Sequence, residues 1–245
     1  MRKKIKERSG ELIFGIHPIV ELLKAKQRKV YTVYTTRPEP KAYHKIKTFF
    51  PKKPIQIQYV TREKLNKMTG TTDHQGIVAL VQSFPFRTRF FEAKKQPFII
   101  LLDGVHDVGN LGAIIRSAYC TNCDGLVMCK KGGAPLSAAA IKASAGLAEH
   151  LPIYEAPSVQ NAVAQIKQAG YKMYLAALGG KDAREIDFSA PLCIVIGNEA
   201  TGITKSILNE GEKVYLAQRT ADISYNASVA AGILLYMVAS SLHKI

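Results

Sequence analysis

The chain has 245 residues, 47% of them apolar and 22% charged, a composition that suits a globular protein with one large core or two smaller ones. Its longest apolar-rich stretch, Val229–Val238, is about half of what a membrane span needs, and no apolar signal core follows the basic start of the chain; a cytoplasmic protein with no membrane partner is expected. The 34 Lys and Arg outnumber the 19 Asp and Glu, and the imbalance is local: residues 1–96 hold 22 against 7, residues 97–245 hold 12 against 12. A basic first part beside a neutral second part points to a polyanionic partner, nucleic acid first, because cationic side chains gain affinity by displacing counterions from phosphates.

In chain order, residues 1–10 read as a charged arm. Gly15–Ala25 has helical apolar spacing at Ile19, Val20, Leu22 and Leu23. Val30–Thr35 alternates as a strand, Lys41–Phe50 reads as a helix, Ile55–Val60 as a strand, Thr61–Met68 as a Thr-capped helix and Gly76–Val81 as an apolar strand. This predicts a small α/β domain over residues 1–83. Residues 84–96 mix Pro, Arg and Lys without sustained period and read as a linker.

The second domain, residues 97–245, begins with the buried-strand pattern Phe98–Leu102. Further strands are expected at Gly125–Cys129, Leu151–Tyr154, Tyr171–Ala177, Leu192–Gly197 and Val214–Leu216. Helices are expected at Asn110–Tyr119, Ser137–Leu147, Val159–Ala169, Thr204–Asn209 and from Asn226 to Leu242. Strands alternating with helices predict a mostly parallel sheet covered on both faces. The C-x-x-C of Cys120 and Cys123 lacks a second pair at zinc spacing, so buried structural thiols are expected and no metal site.

Ligands of open α/β sheets collect beyond the carboxyl ends of the strands. Three segments there are rich in Gly, Asn, Ser and charge: Asp103–Arg116, Ile196–Ile203 and Leu216–Ser228. The first runs G-V-H-D-V-G-N-L-G rather than G-x-G-x-x-G, and no P-loop is present, which argues against a nucleotide phosphate cradle. The second pairs two glycines with an amide and a carboxylate, a mixture suited to a small ligand with amines and hydroxyls.

Taken together the three segments resemble the SpoU (TrmH) family of SPOUT-class methyltransferases. Asn110, Gly112 and Arg116 match its N-x-G-x-x-x-R motif. Gly197, Asn198, Glu199 and Gly202 match G-N-E-x-x-G, and Ser224, Tyr225, Asn226, Ala227 and Ser228 match S-L-N-V-S. Lys142–Pro152 is similar to a family stretch between the first two motifs. The segments F-G-I-H-P-I-V-E-L-L and D-H-Q-G-I-V-A look like its accessory substrate-binding domain. The chain departs at Leu216, Ala217 and Gln218, where the family often has Ile-Pro-Met, and at Tyr225 and Ala227.

The resemblance implies a trefoil knot at the carboxyl end, a homodimer, and S-adenosylmethionine bent into the knot. By analogy Gly197, Asn198, Gly202, Leu216, Tyr225 and Ala227 would line the cofactor, with Ala177 and Leu178 near the adenine. Neither a metal nor a covalent intermediate is required. Asn110, Arg116, Glu199, Ser224 and Asn226 would act on the substrate: Arg116 as general base or as a phosphate clamp, Glu199 holding Arg116 or a substrate hydroxyl, Asn110 and Asn226 at the ribose or at Arg116, and Ser224 at the target. A capping role for Asn110 stays open, as does one for Ser228; His106 and His150 read as peripheral. The implied activity is 2′-O-ribose methylation of RNA, ribosomal RNA first. The alternatives are transfer RNA or a non-catalytic RNA-binding assembly factor.

Overall fold

The computed structural model describes residues 10–220 and 223–245, so the basic arm expected over residues 1–10 lies almost wholly outside the described residues. The chain divides into two compact units, up to Pro85 and from Phe86.

The first unit is a four-stranded mixed sheet in the order β1-β4-β2-β3. Strand β1 (Glu11–Phe14) runs antiparallel to β4 (Ile77–Val81), with Ile13 opposite Ala79. Strand β2 (Val30–Thr35) is antiparallel to β4 and parallel to β3 (Gln56–Tyr59). Helices α1 (Ile16–Ala25), α2 (Lys41–Lys47) and α3 (Arg62–Thr69) connect them. The apolar stripe read at Ile19, Val20, Leu22 and Leu23 is buried, together with Ile13, Val33, Tyr43, Ile46, Leu65 and Val78. Thr61 caps α3 by accepting from the Lys64 amide, satisfying one of the donors a helix start leaves open. The helix expected over Lys41–Phe50 ends at Lys47.

The second unit is a six-stranded parallel sheet in the order β10-β8-β9-β5-β6-β7. Its strands are β5 (Phe98–Leu102), β6 (Gly125–Cys129), β7 (Ile153–Ala156), β8 (Lys172–Asp182), β9 (Leu192–Ile196) and β10 (Glu212–Tyr215). Every residue of β5, β6 and β9 is buried, the pattern of strands covered on both faces. Ile99, Leu101, Val127, Cys193 and Val195 pack with Val163 and Ile166 of helix α6 (Val159–Gln168) on one face. By the period-two alternation of a strand, Ile100, Leu126 and Ile194 point to the other face, where α4 (Val108–Cys120) and α7 (Ala227–Ser241) pack against each other. The helix expected over Ser137–Leu147 is shorter, α5 (Ala138–Ala143), because Ala145 and Gly146 take positive φ.

Residues 86–96 do not form the free linker expected over 84–96. The Arg87 amide donates to the Ile153 carbonyl at 2.8 Å, Phe90 packs edge-on to Tyr154, and Phe91 is buried against Gly125. Two adjacent aromatics among arginines carry no period, so this packing is invisible to pattern reading. Of the four thiols, Cys123, Cys129 and Cys193 are buried as expected, whereas Cys120 is exposed at the end of α4. Burial pushes the Cys123 thiol up to about 12. No helix among the described residues is long and apolar enough to cross a membrane.

Strand β5 sits between β9 and β6, so the connections after β5 and β9 leave neighbouring strand ends in one direction while the chain departs to opposite sides. That is the switch point at which open α/β sheets form ligand crevices.

Candidate active site

The pocket lies not between β5 and β9 but on the other side of β9, toward β8 and β10, and is built by three pieces of chain. The first is an irregularity in β8. Strand β10 pairs Lys213 with Leu175 and then Val214 with Lys181, so residues 176–180 are skipped and bulge out of the ladder. The bulge carries Ala176, Ala177 and Leu178 into the pocket wall. Gly180 must lack a side chain, since a Cβ there would lie 2.3 Å from the Lys213 carbonyl oxygen.

The second piece is the turn after β9. Asn198 and Gly202 exchange backbone hydrogen bonds at 3.0 and 2.9 Å. The Asn198 Oδ1 accepts from the amides of Ala200 and Thr201 at 2.9 Å, while its Nδ2 donates to the Gly104 carbonyl at 2.7 Å. The buried Asp103 carboxylate accepts from the Thr204 amide at 2.6 Å and from its hydroxyl at 2.9 Å. The turn after β9 is thus fastened to the end of β5 by side chains at both of its ends.

The third piece is the segment that leads into α7. Leu216, Gln218, Ser224, Tyr225 and Ala227 line the opposite wall, and the Tyr225 hydroxyl donates to the Ala217 carbonyl at 3.3 Å. The pocket is partly open to solvent and its volume is about 430 Å³, within the range of sites for small ligands. All eight positions named from the sequence as cofactor-lining (Ala177, Leu178, Gly197, Asn198, Gly202, Leu216, Tyr225 and Ala227) border this one space, as do Glu199 and Ser224. Thr201, Ile203, Ala230 and Leu234 border it too and had not been named as site residues. Their only signal was proximity to the motifs.

Beside the pocket lies a polar cluster centred on Glu199. Its carboxylate accepts from the Asn110 side-chain amide at 3.0 Å and from the backbone amides of His106 and Asp107, both at 3.2 Å. Burial raises the Glu199 pKa, but the bonds from Asn110 and the backbone outweigh it and hold the carboxyl below its ordinary value of 4.5. Asn110 does not cap α4; Asp107 does, accepting from the Asn110 amide at 2.6 Å. Glu199 therefore engages Asn110, not Arg116, which is exposed on α4 and outside the pocket wall. Asn226 caps α7 by accepting from the amide and hydroxyl of Ser228 at 2.9 and 2.7 Å. Ser228 supplies the donors and Asn226 is the cap. His106, read as peripheral, is within 3.1 Å of Asn198 Nδ2 through Nδ1. Among the described residues no three His, Cys, Asp or Glu side chains gather as a metal site.

The Glu199 contacts predict a pH-dependent contribution to stability. A carboxyl held below its ordinary value stabilises the fold fully above that value and loses the contribution as pH falls through the folded-state value. Glu199→Gln should lower the melting temperature at pH 7, and the gap to wild type should close below about pH 4.5, measured by thermal scans across pH. A gap that is the same at all pH values would show that the charge on Glu199 contributes nothing.

Residues 97–236 match the SpoU rRNA Methylase family, and residues 12–87 match the RNA 2′-O ribose methyltransferase substrate binding family. The chain is 31% identical over 239 residues to YacO of Bacillus subtilis (strain 168), whose name places it in the TrmH family of tRNA/rRNA methyltransferases; the alignment covers 93% of this chain and 94% of YacO. The fold is shared with an AdoMet-bound rRNA methyltransferase from Sinorhizobium meliloti (TM-score 0.80, 21% identity, 95% of this chain and 88% of that one). It is also shared with the SpoU methyltransferase AviRb from Streptomyces viridochromogenes (TM-score 0.78, 22% identity, 96% and 91%). The chain belongs to the SpoU family and is an RNA methyltransferase.

Proposed function

We propose that the protein transfers the methyl group of S-adenosylmethionine to a ribose 2′-hydroxyl of ribosomal RNA. The observation that carries this reading is the meeting of three separate loops in one pocket of about 430 Å³, with Glu199 on its wall and Asn110 bonded to Glu199. The pocket's chemistry fits the donor. Ala177, Leu178 and Leu216 offer apolar surface for a flat ring, and the turn at Gly197–Gly202 offers backbone polar groups. The buried Gln218 Nε2 has no hydrogen-bond partner among the described residues, a donor left for a ligand acceptor. When bound, S-adenosylmethionine supplies an electrophilic methyl on a sulfonium.

The chain's own part is alignment and proton handling. Glu199 holds the Asn110 amide in place, and the other half of that amide remains to meet a ribose hydroxyl. Ser224, exposed on the pocket wall, offers a second hydroxyl contact. Asn226 fixes the start of α7 and with it Tyr225 and Ala227. Arg116 orients the substrate through a phosphate, a role suited to its planar fork.

Ribosomal RNA is preferred over transfer RNA because the chain carries the accessory unit matched over residues 12–87, and the Sinorhizobium meliloti protein is described as acting on rRNA. A homodimer belongs to the same reading. Val229, Ile233 and Tyr236 form an exposed apolar stripe along α7, at 48%, 36% and 62% exposure, a face that association would cover. The trefoil knot is supported by the return of the chain from the edge strand β10 to pack as α7 against β9 and α4. Action in the cytoplasm belongs to the same reading.

Mapping 2′-O-methyl sites in RNA from cells with and without the protein should reveal one lost position in ribosomal RNA. A position lost from transfer RNA instead would reassign the substrate. No lost position, together with no heat of binding when S-adenosylmethionine is titrated into the pure protein, would leave an RNA-binding assembly factor.

A further inference from the structure

In the first unit β1 and β2 both run antiparallel to β4, and β3 runs parallel to β2, so the carboxyl ends of β1, β2 and β3 share one edge. The residues that close this edge include Arg37, in the turn after β2, Tyr59, the last residue of β3, and Arg62, the first of α3. The Arg37 guanidinium lies 4.1 Å from the centroid of the Tyr59 ring. The Tyr59 hydroxyl donates to Glu39 at 2.6 Å, and Glu39 also takes Lys47 at 2.9 Å. The ring is therefore held at its hydroxyl end and covered on one side by a cation, yet 40% of the residue stays exposed. Thr36, Val60 and Thr61 complete a shallow, open surface around it.

Tyr43, in the same unit, is fully buried, whereas Tyr59 keeps part of its ring at the surface. Arg37 and Arg62 both border this surface with Tyr59, so two guanidinium groups lie beside a ring whose hydroxyl end is held. A flat face backed by a cation, with a second cation beside it, fits a stacked base with neighbouring phosphates. A duplex keeps its base faces covered, whereas RNA loops and bulges splay them out.

We propose that Arg37 and Tyr59 form a stacking platform for one unpaired base of the RNA substrate, with Arg62 on an adjacent phosphate. The platform rests on the reading of the chain as an RNA-modifying enzyme and adds to it the form of RNA that the first unit selects. The pairing of Tyr59 with Arg37 joins residues that are remote in the chain, so it is visible only in the folded structure.

The test uses the full chain with two probes, a fluorescein-labelled oligouridine and a blunt RNA duplex of equal length, followed by fluorescence anisotropy. Tyr59→Leu should weaken oligouridine binding about tenfold, in the range expected for one stacked base, and duplex binding less than twofold. Tyr59→Phe keeps the ring and should stay within about threefold of wild type. Arg37→Gln repeats the comparison without touching the strand and should also lose oligouridine selectively. Unchanged oligouridine binding in Tyr59→Leu and Arg37→Gln, or an equal loss on both probes, overturns the platform. Methyl transfer to total RNA by the wild type is scored separately: selective loss in the variants with no transfer by wild type upholds the platform and overturns the enzymatic reading, and the converse pattern does the reverse.

Discussion

Gly197→Ala is expected to weaken S-adenosylmethionine binding by up to about 100-fold, or roughly 2.7 kcal/mol, in a calorimetric titration. A Cβ at position 197 would lie 2.4 Å from the Gly202 carbonyl carbon, 2.5 Å from the Ile203 nitrogen and 2.6 Å from the Gly202 oxygen. All three are backbone atoms, so no rotamer change relieves the clash. The atoms that must move belong to the turn that Asn198 and Gly202 close with paired hydrogen bonds and that Asp103 anchors through Thr204. Overpacking of this kind costs about 1–3 kcal/mol, and here the cost falls on the wall of the pocket. Gly170→Ala is the control. Gly170 has φ 85 and nothing within 4 Å of a Cβ, so the substitution strains one residue at about 1 kcal/mol of stability and should leave donor affinity intact. An unaltered dissociation constant in Gly197→Ala would detach this turn from donor binding and take the pocket assignment with it.

The strands that carry the site were the easiest part of the chain to read. Phe98–Leu102 and Leu192–Ile196 are unbroken apolar runs because both faces of the parallel sheet are covered, and their ends locate the turns that follow. Strand β1 was not legible. It is four residues long, adjoins the basic arm and pairs with β4 at the far end of the unit, so its evidence is tertiary. The continuation of β8 past Ala177 was hidden for a related reason: Leu178-Gly179-Gly180 reads as a turn, yet Lys181 and Asp182 rejoin β10 beyond the bulge.

Within the site, ten of the residues named from the motifs border one space while Asn110, Arg116 and Asn226 do not, and motif order does not tell which atoms meet. Asp107 and Asn110 are both acceptable caps by composition, and only coordinates show that Asp107 caps α4 and frees Asn110 for Glu199. Of the two partners open to Glu199, Arg116 or a substrate hydroxyl, Arg116 makes no hydrogen bond or ion pair with it among the described residues. Three nearer donors already occupy the carboxylate.

That leaves Arg116 exposed and outside the pocket wall, a position that separates its proposed role from that of the pocket. Arg116→Ala should reduce methyl transfer by about 10³-fold while the S-adenosylmethionine dissociation constant stays within about threefold, since general acid–base or charge-positioning groups contribute about 10²–10⁴ in rate. Arg116→Lys then distinguishes the two chemistries open to this side chain. A lysine ammonium is a stronger acid than a guanidinium, so it gives up its proton more readily. If Arg116 acted as the base, the lysine variant would keep much of the rate and gain activity as pH rises. A phosphate clamp needs the planar fork, which a lysine point charge cannot supply. We expect the lysine variant to be nearly as slow as the alanine variant, with a raised KM for RNA and a flat pH profile above pH 7. A lysine variant whose kcat climbs with pH toward wild type would move Arg116 from holding the substrate to taking its proton.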